Sequence, residues 1–118
     1  MNRTELEKYI LETYDISADY PWIKYPEYGV FRHGHNKKWF AVVMNLPKTR
    51  LGLVCAGTVD VMNVKCDYPL IASLLSETGF FPAYHMNKTN WISVALDGSA
   101  PEDKIKWLLE ISYELTEW

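Results

Sequence analysis

The run from Trp39 to Leu46 reads Trp-Phe-Ala-Val-Val-Met-Asn-Leu and is apolar on both faces of an extended chain. A strand of this composition is typical of the interior of a sheet, and Pro47 ends it. A second run, Tyr28 to His33, precedes it across the five residues Gly34 to Lys38. Because this connection is short and contains Gly and Asn, the two runs are predicted to form a β-hairpin.

Three further strands are predicted, at Leu51–Cys55, Val59–Cys66 and Trp91–Asp97. Side chains alternate between the two faces of a strand. In the second of these runs the two faces carry Met62, Val64 and Cys66 on one side and Asn63 and Lys65 on the other. In the third run the residues expected to face the core are Ile92, Val94 and Leu96.

Three helices complete the prediction. The pairs with capping-box form are Asn2 with Glu5, its alternative register Thr4 with Glu7, and Ser99 with Glu102. The middle helix is predicted to begin at Asp67 with Pro69 in its first turn, and Gly79 suits the position after its end. The order α-β-β-β-β-α-β-α predicts one α+β domain over residues 1–118, an antiparallel-rich sheet with helices packed on it.

Composition places the chain among globular proteins. It has 118 residues, 48% of them hydrophobic, and a net charge of −3. No apolar run approaches the ~18 residues of a transmembrane helix, and residues 1–8 lack the apolar centre of a signal peptide. We therefore expect a cytoplasmic protein without membrane contact, a monomer or weak dimer. The 14% of aromatic residues indicates either an aromatic core or a binding surface.

No catalytic, metal or cofactor motif is found. His33, His35 and His85 do not have the spacing of a closed zinc site, and His33 and His35 are interpreted as part of a polar hairpin tip. Cys55 and Cys66 form no CxxC pair and are expected to be buried and reduced. No glycine-rich phosphate loop is present. The net acidity also disfavours nucleic-acid binding, unless basic residues cluster locally.

The segment from Phe80 to Trp91 is the strongest candidate for a functional loop, because it concentrates aromatic and polar residues. Lys88 could meet a phosphate and Asn87 a base edge. Alternatively, Asn87 organises a tight turn while Tyr84 and His85 pack on the core. A separate basic cluster surrounds the hairpin and consists of Arg32, Lys37 and Lys38.

Several of these motifs together resemble the MmcQ/YjbR-like family of small bacterial proteins, over nearly the whole chain. The segments that carry the resemblance are Val30–Arg32, Lys38–Ala41, Asn63–Asp67, Phe81–Lys88 with Trp91, Leu96–Ser99 and Ile111–Leu115. One departure is Asn90, where the family usually has a His.

The resemblance implies a fold likened to frataxin-type (CyaY-like) domains and to a double-wing DNA-binding domain. It also implies DNA binding, and the resulting hypothesis is a non-enzymatic module that contacts DNA through its sheet face and the loop. The residues expected to make the contacts are Arg32, Lys37, Lys38, Lys65, Tyr84, His85, Asn87, Lys88 and Trp91. Two alternatives stay open. One is a protein–protein adaptor anchored by the aromatics of Tyr20–Tyr28 and the loop. The other is an enzyme with His85 beside an acidic partner.

Overall fold

The computed structural model describes residues 1–118 and contains three α-helices, five strands and one 3₁₀ turn. The elements in chain order are α1 (Arg3–Tyr14), β1 (Gly29–Arg32), β2 (Trp39–Pro47), the 3₁₀ turn (Lys48–Leu51), β3 (Thr58–Lys65), α2 (Tyr68–Leu74), β4 (Phe80–Pro82), β5 (Trp91–Ala95) and α3 (Glu102–Leu115). The strands form one antiparallel sheet in the order β1-β2-β3-β5-β4. The predicted α+β class is confirmed. None of the helices has the length and apolar character that crossing a bilayer requires.

The hairpin predicted around β2 is present. Strand β2 pairs with β1 on one side, where Gly29 faces Val43, and with β3 on the other, where Ala41 faces Val64. The side chains of β2 are buried on both faces of the sheet. The interior position predicted from its composition is therefore confirmed.

The two faces of the sheet carry separate apolar clusters. On one face, nineteen buried residues from the sheet and all three helices form the main core. On the other face, seven buried residues form a smaller cluster that no helix covers. We call this second side the open face. Its cover consists of the segment between α1 and β1, the 3₁₀ turn and the loop after β4.

A bulge in β2 is joined to α3 by one hydroxyl. Phe31 faces Ala41 and Arg32 faces Trp39, so Phe40 is the extra residue, and its side chain enters the main core. The buried Ser112 Oγ accepts a hydrogen bond from the Lys65 backbone N–H at 2.9 Å and donates one to the Phe40 carbonyl at 2.6 Å. The hydroxyl thus bridges two backbone groups that the bulge separates, and fixes α3 on the sheet.

Helix caps follow the sequence at one end of the chain but not at the other. The Asn2 side chain accepts from the Glu5 N–H at 2.8 Å and the Glu5 carboxylate accepts from the Asn2 N–H at 2.9 Å, so this capping box is confirmed. The box predicted at Ser99 is wrong, because Ser99 donates to Asp97 in a turn and Pro101 precedes α3 without a side-chain cap. Asp67 stands at the N-cap of α2 without a side-chain hydrogen bond.

Two strand assignments also need correction. Leu51–Cys55 is not a strand. Its first residue, Leu51, is the last residue of the 3₁₀ turn, and Gly52 turns the chain at φ 82°. Cys55 is therefore exposed rather than buried. Conversely, Phe80–Pro82 was predicted as loop and is the edge strand β4, paired with β5.

Of the predictions for Cys66 and His33, the first is confirmed and the second is wrong. Cys66 is buried, as expected, and burial raises the pKa of its thiol to about 11. His33 is not part of a polar tip. It is 1% exposed, packs on Phe40 and Tyr113, and shares a hydrogen bond of 2.8 Å with Thr116 Oγ1.

Candidate functional site

An aromatic pocket of about 200 Å³ lies on the open face. Its lining is almost entirely apolar and comes from three separate parts of the chain, the α1–β1 segment, β2 and the loop after β4. The lining residues are Trp22, Tyr25, Tyr28, Trp39, Val42, Met44, Tyr84, His85 and Met86. A concave apolar site with few polar groups is the usual form of a ligand pocket.

The rings on one side of the pocket support one another. Trp22 meets Trp39 edge-on, with ring centroids 5.5 Å apart, and meets Tyr28 in the same way at 6.2 Å. Tyr25 stacks on Tyr28 at 4.8 Å. Prolines 21 and 26 favour an extended chain here, and a bridge between Asp19 and Val30 fastens the segment to β1. The rings are thereby held over the sheet rather than free in solvent.

The opposite side of the pocket is positioned by a buried polar network. Asn63 and Ser93 are both fully buried on the open face of β3 and β5. The Asn63 amide donates to the Tyr84 carbonyl at 2.9 Å, and the Tyr84 N–H donates to Ser93 Oγ at 3.0 Å. Ser93 Oγ in turn donates to Asn63 Oδ1. Both backbone polar groups of Tyr84 are therefore fixed, and with them the point from which its side chain leaves the loop.

The rest of the predicted loop, from Asn87 to Trp91, is a turn held by hydrogen bonds. Asn87 Oδ1 accepts from the Thr89 N–H at 2.8 Å and from its hydroxyl at 2.6 Å, and the Asn87 carbonyl accepts from the Trp91 N–H at 2.9 Å. The turn-organising role predicted for Asn87 is thus confirmed. The left-handed residue, however, is His85, at φ 58°, and its exposed ring lies 4.0 Å from that of Tyr84.

The cations predicted at the hairpin do not meet those of the loop. The hairpin tip is tied to the end of α3, since Asn36 donates to the Thr116 carbonyl at 2.9 Å and Lys38 Nζ donates to the Trp118 carbonyl. Lys37, at φ 64°, belongs to the same tip. Lys37 and Lys38 therefore lie beside the C-terminal end of α3 and line no part of the pocket.

The remaining predicted cations lie nearer the pocket. Arg32 Nε lies 3.0 Å from Asp19 Oδ2 and forms an ion pair with it, but the N–H does not point at the carboxylate and makes no hydrogen bond. The Arg32 guanidinium lies 5.9 Å from the centroid of the Trp39 ring. Lys65 faces Trp91 across β3 and β5 on the open face. Lys88 is exposed two residues beyond Met86.

Two basic residues near the pocket were missed by the sequence analysis. Lys24 adjoins Tyr25, and the charge of Arg50 reaches Tyr28, where it partly opposes the burial that raises the pKa of that phenol. Neither these two residues nor Lys65 and Lys88 have a carboxylate within 4.0 Å. The sequence signal for Lys24 is its place among the aromatic residues between Pro21 and Tyr28, and the sequence carries no such signal for Arg50.

Charge is divided unequally between the two sides of the molecule. Residues 16–101, which include the whole sheet, contain eight basic and six acidic side chains. Residues 1–15 and 102–118, which contain α1 and α3, hold four basic and nine acidic ones. The net acidity of the chain therefore resides with these two helices, and the sheet with its loops is mildly cationic.

The geometry offers little for catalysis at His85. No carboxylate forms an ion pair with its ring, and its position at the pocket rim leaves it exposed. No three His, Cys, Asp or Glu side chains come together in an arrangement that could hold a metal ion. What the site can do chemically is enclose a flat or apolar group between aromatic rings, with cations nearby.

The fold and site thus define a small α+β domain with an aromatic pocket on the open face of its sheet. A family model described as YjbR matches residues 3–115, and the chain belongs to this family. Over 98% of both chains it is 40% identical to the uncharacterised protein YyaQ of Bacillus subtilis. It is also 40% identical to the uncharacterised protein YjbR of Escherichia coli, over 39% of this chain and 41% of that one.

Solved structures resemble the whole chain. A crystal structure of a Pseudomonas syringae protein, 42% identical, superposes with a TM-score of 0.97 over 99% of this chain and 100% of that chain. A Deinococcus radiodurans crystal structure with a DUF419 domain has a TM-score of 0.73 at 22% identity, covering 97% of this chain and 77% of the other. The second likeness concerns the fold alone.

Proposed function

We propose that this protein is a non-enzymatic nucleic-acid-binding module that takes a single-stranded segment across its open face, with one base in the aromatic pocket. The observation that carries this proposal is the coincidence, on one face, of a ring-lined pocket with cations that have no carboxylate partner. Proteins that bind single strands combine these two features, stacking rings and a positive path for the backbone.

The pocket suits a base. Its volume of about 200 Å³ is smaller than the roughly 300–1,000 Å³ of pockets that take drug-sized ligands, which suits a single planar base. Tyr25 is 49% exposed at the mouth and already stacks on Tyr28, so its outer surface is free to extend that stack. Because a paired base is not free to enter such a pocket, single strands are favoured over duplexes.

The phosphates would meet Lys88, Lys65, Arg50 and Lys24. An ammonium acts as a point charge toward phosphate, so its contact fixes position without reading sequence. Arg32 is occupied by Asp19 and would stack rather than pair. The net acidity of the chain disfavours nucleic-acid binding, but the excess carboxylates belong to residues 1–15 and 102–118. The sheet side itself is mildly positive and can therefore approach phosphates.

Within the set predicted from sequence, the roles differ. Tyr84 and His85 line the aromatic pocket. Asn87 shapes the turn that carries Lys88, and Trp91 faces Lys65 on the neighbouring strand. Lys37 and Lys38 are left outside this contact, because their hairpin tip is fastened to the end of α3.

Fluorescence anisotropy tests the proposal. A labelled single-stranded 20-mer and its duplex are titrated at about 50 and about 200 mM salt, a range over which phosphate-mediated binding weakens steeply. Tyr25→Ala should weaken single-strand binding by about 5- to 150-fold, the equivalent of ~1–3 kcal/mol for one stacked base. Lys88→Glu should weaken it further and reduce the salt dependence.

The matched control is Lys8→Glu, the same charge change on α1, which contributes no residue to the pocket lining. It should leave the titration unchanged. The proposal is wrong if the single strand does not bind at the lower salt, or if Lys8→Glu weakens binding as much as Lys88→Glu does.

A protein partner at the same pocket is the second candidate. Ile23, next to Trp22, is 98% exposed, and Tyr20 is 52% exposed, so the segment presents apolar surface beside the pocket mouth. An apolar side chain inserted between the rings would make an aromatic anchor site. Association of this kind is nearly independent of salt, and the same pair of salt concentrations therefore separates the two functions.

A further inference from the structure

A larger groove lies on the helical side of the molecule, between α1 and the end of α3. It has a volume of about 770 Å³. Its floor is aromatic and aliphatic, with Tyr9 and Tyr14 from α1 facing Tyr113 from α3, and its rim carries Glu110, Glu114 and Glu117. It shares no residue with the aromatic pocket.

The tyrosine rings on the floor of the groove pack on one another. Tyr14 stacks on Tyr113 with ring centroids 4.4 Å apart, and Tyr9 meets Tyr14 edge-on at 6.5 Å. Tyrosines held in this way present a large contact area at a small entropic cost when a partner binds. Lys106 Nζ lies 4.8 Å from the centroid of the Tyr9 ring, so one face of this floor already attracts an ammonium group.

The rim carboxylates form no ion pair within the protein. None of the three glutamates has a Lys, Arg or His nitrogen within 4.0 Å. Glu110 and Glu114 stand four residues apart on one helix, where like charges destabilise it. Glu114 also lies at the negative end of the α3 dipole, and the last turn of α3 contains no basic residue.

These observations describe a groove that is unfavourable for the isolated chain and complementary to positive charge. A cationic partner would relieve the repulsion along α3, while its aliphatic stems covered the tyrosines, as long Lys and Arg side chains do. Burial is the main cause that raises the pKa of Tyr14 to about 12, and the charges of Glu110 and Glu114 raise it further, so the negative charge of the rim reaches the tyrosines of the floor.

We propose that the groove between α1 and α3 docks a basic segment of a different protein, one that alternates Lys or Arg with apolar residues. A second copy of this chain is the less suitable occupant. Most of its cations without a carboxylate partner lie on the sheet side, so docking them into the groove would join unlike surfaces and build open head-to-tail chains. This inference is independent of the function proposed for the open face.

The probe is a labelled 12-residue synthetic peptide of alternating Lys and Leu, with a Glu–Leu peptide of the same length as its charge-reversed control. Anisotropy is measured with the full chain at about 50 and about 200 mM salt. We expect the basic peptide to bind, the acidic one to fail, and the triple variant Glu110→Gln, Glu114→Gln, Glu117→Gln to bind the basic peptide about tenfold more weakly.

Two controls locate the contact. Glu12→Gln, on α1 but outside the groove lining, removes one charge of the same sign and should leave peptide binding unchanged, and Lys88→Glu should also leave it unchanged. The docking site is refuted if the basic peptide does not bind at the lower salt or if the triple variant binds it as well as the wild type. A second copy is the occupant instead if light scattering shows that the wild-type chain self-associates and the triple variant does not.

Discussion

The helix-covered face and the open face of the sheet differ in how their apolar side chains are kept from water. On the helix-covered face, three helices enclose a cluster of nineteen buried residues. On the open face, a cluster of seven is covered by irregular segments whose aromatic rings lie only partly buried. Helices satisfy their own backbone hydrogen bonds, so they can cover a core completely, whereas an irregular cover leaves gaps, and here the gap is the aromatic pocket.

This difference separates stability from binding. A substitution in the helix-covered core removes fully buried surface, and its cost should be large. A substitution at the mouth of the pocket removes surface that water already reaches. It should therefore change the free energy of unfolding little and weaken the binding of a ligand instead. The following measurements test that separation, because each compares a residue with another in a different environment of the same molecule.

The largest effect is expected for Phe40→Ala. Phe40 is fully buried in the bulge of β2 and contacts His33, Tyr14 and Tyr113. Removing the ring should lower the free energy of unfolding by ~3–5 kcal/mol. Tyr25→Ala, at the pocket mouth, loses one exposed stack worth ~0.5–1.5 kcal/mol. Urea denaturation measures both, and equal losses would contradict the separation of the two faces.

Ser112→Ala should have the next largest effect. It leaves the Lys65 N–H and the Phe40 carbonyl without their shared partner inside the core, and each unsatisfied group costs ~1–3 kcal/mol. Ser76→Ala, whose hydroxyl donates to the Ser73 carbonyl in an exposed turn, is the control and should cost little. If the two serine variants unfold at the same urea concentration, the hydroxyl does not bridge the bulge.

Ser93→Ala tests the open face by the same method. The Tyr84 N–H and Asn63 Oδ1 lose their partner, so we expect a loss of ~1–3 kcal/mol together with weaker binding at the pocket, because the Tyr84 backbone is no longer fixed. Hydrogen exchange of the Tyr84 amide should accelerate, while that of Val43 in the sheet interior should not. An unchanged Tyr84 exchange rate would show that the network does not position the loop.

What the sequence predicted correctly was local, and what it missed depends on contacts between distant segments. The capping box at Asn2 and the turn at Asn87 close within three or four residues, and the interior position of β2 is written in its own composition. Leu51–Cys55 has the composition of a strand, but it has no neighbouring strand to pair with.

The adaptor alternative groups the aromatics of Tyr20–Tyr28 with the loop, as the pocket does, but the sequence does not predict the part of the pocket that β2 contributes. Trp22 and Tyr84 approach one another only after β2 has been built between them, and periodicity carries no information about which ring will cover which part of a sheet. The aromatic content indicated either an aromatic core or an aromatic surface, and the structure has both: Phe40 lies in the core and Tyr25 at the pocket mouth. His33 was misplaced because its partner, Thr116, lies at the other end of the chain.

The buried His33 should make the stability of the protein depend on pH. Burial lowers its pKa from the ordinary value, and nearby His35 and Lys38 lower it further, against the opposing influence of the Tyr113 backbone and Glu117. The unfolded chain therefore binds a proton that the folded chain resists, and stability should fall as pH drops below about 6.5, the unperturbed value for histidine.

Thermal unfolding from pH 7.5 to 5.5 measures this dependence. His33→Gln should flatten the fall in melting temperature, and His35→Gln, an exposed neighbour, should change it less. If the two variants lose melting temperature in parallel with the wild type, another group controls the acid sensitivity.

The smallest effect is expected for Glu114→Gln, and its sign is the informative part. Neutralising this side chain removes repulsion with Glu110 and an unfavourable charge at the C-terminal end of α3, so the free energy of unfolding should rise by ~0.3–0.8 kcal/mol at low salt. Glu102→Gln, at the N-terminal end of the same helix and paired with Lys106 at 3.5 Å, should lower it by a similar amount. A rise in both variants would point to net charge alone. A rise for Glu114 with a fall for Glu102 would place the unfavourable charge at the groove, where a basic partner would bind.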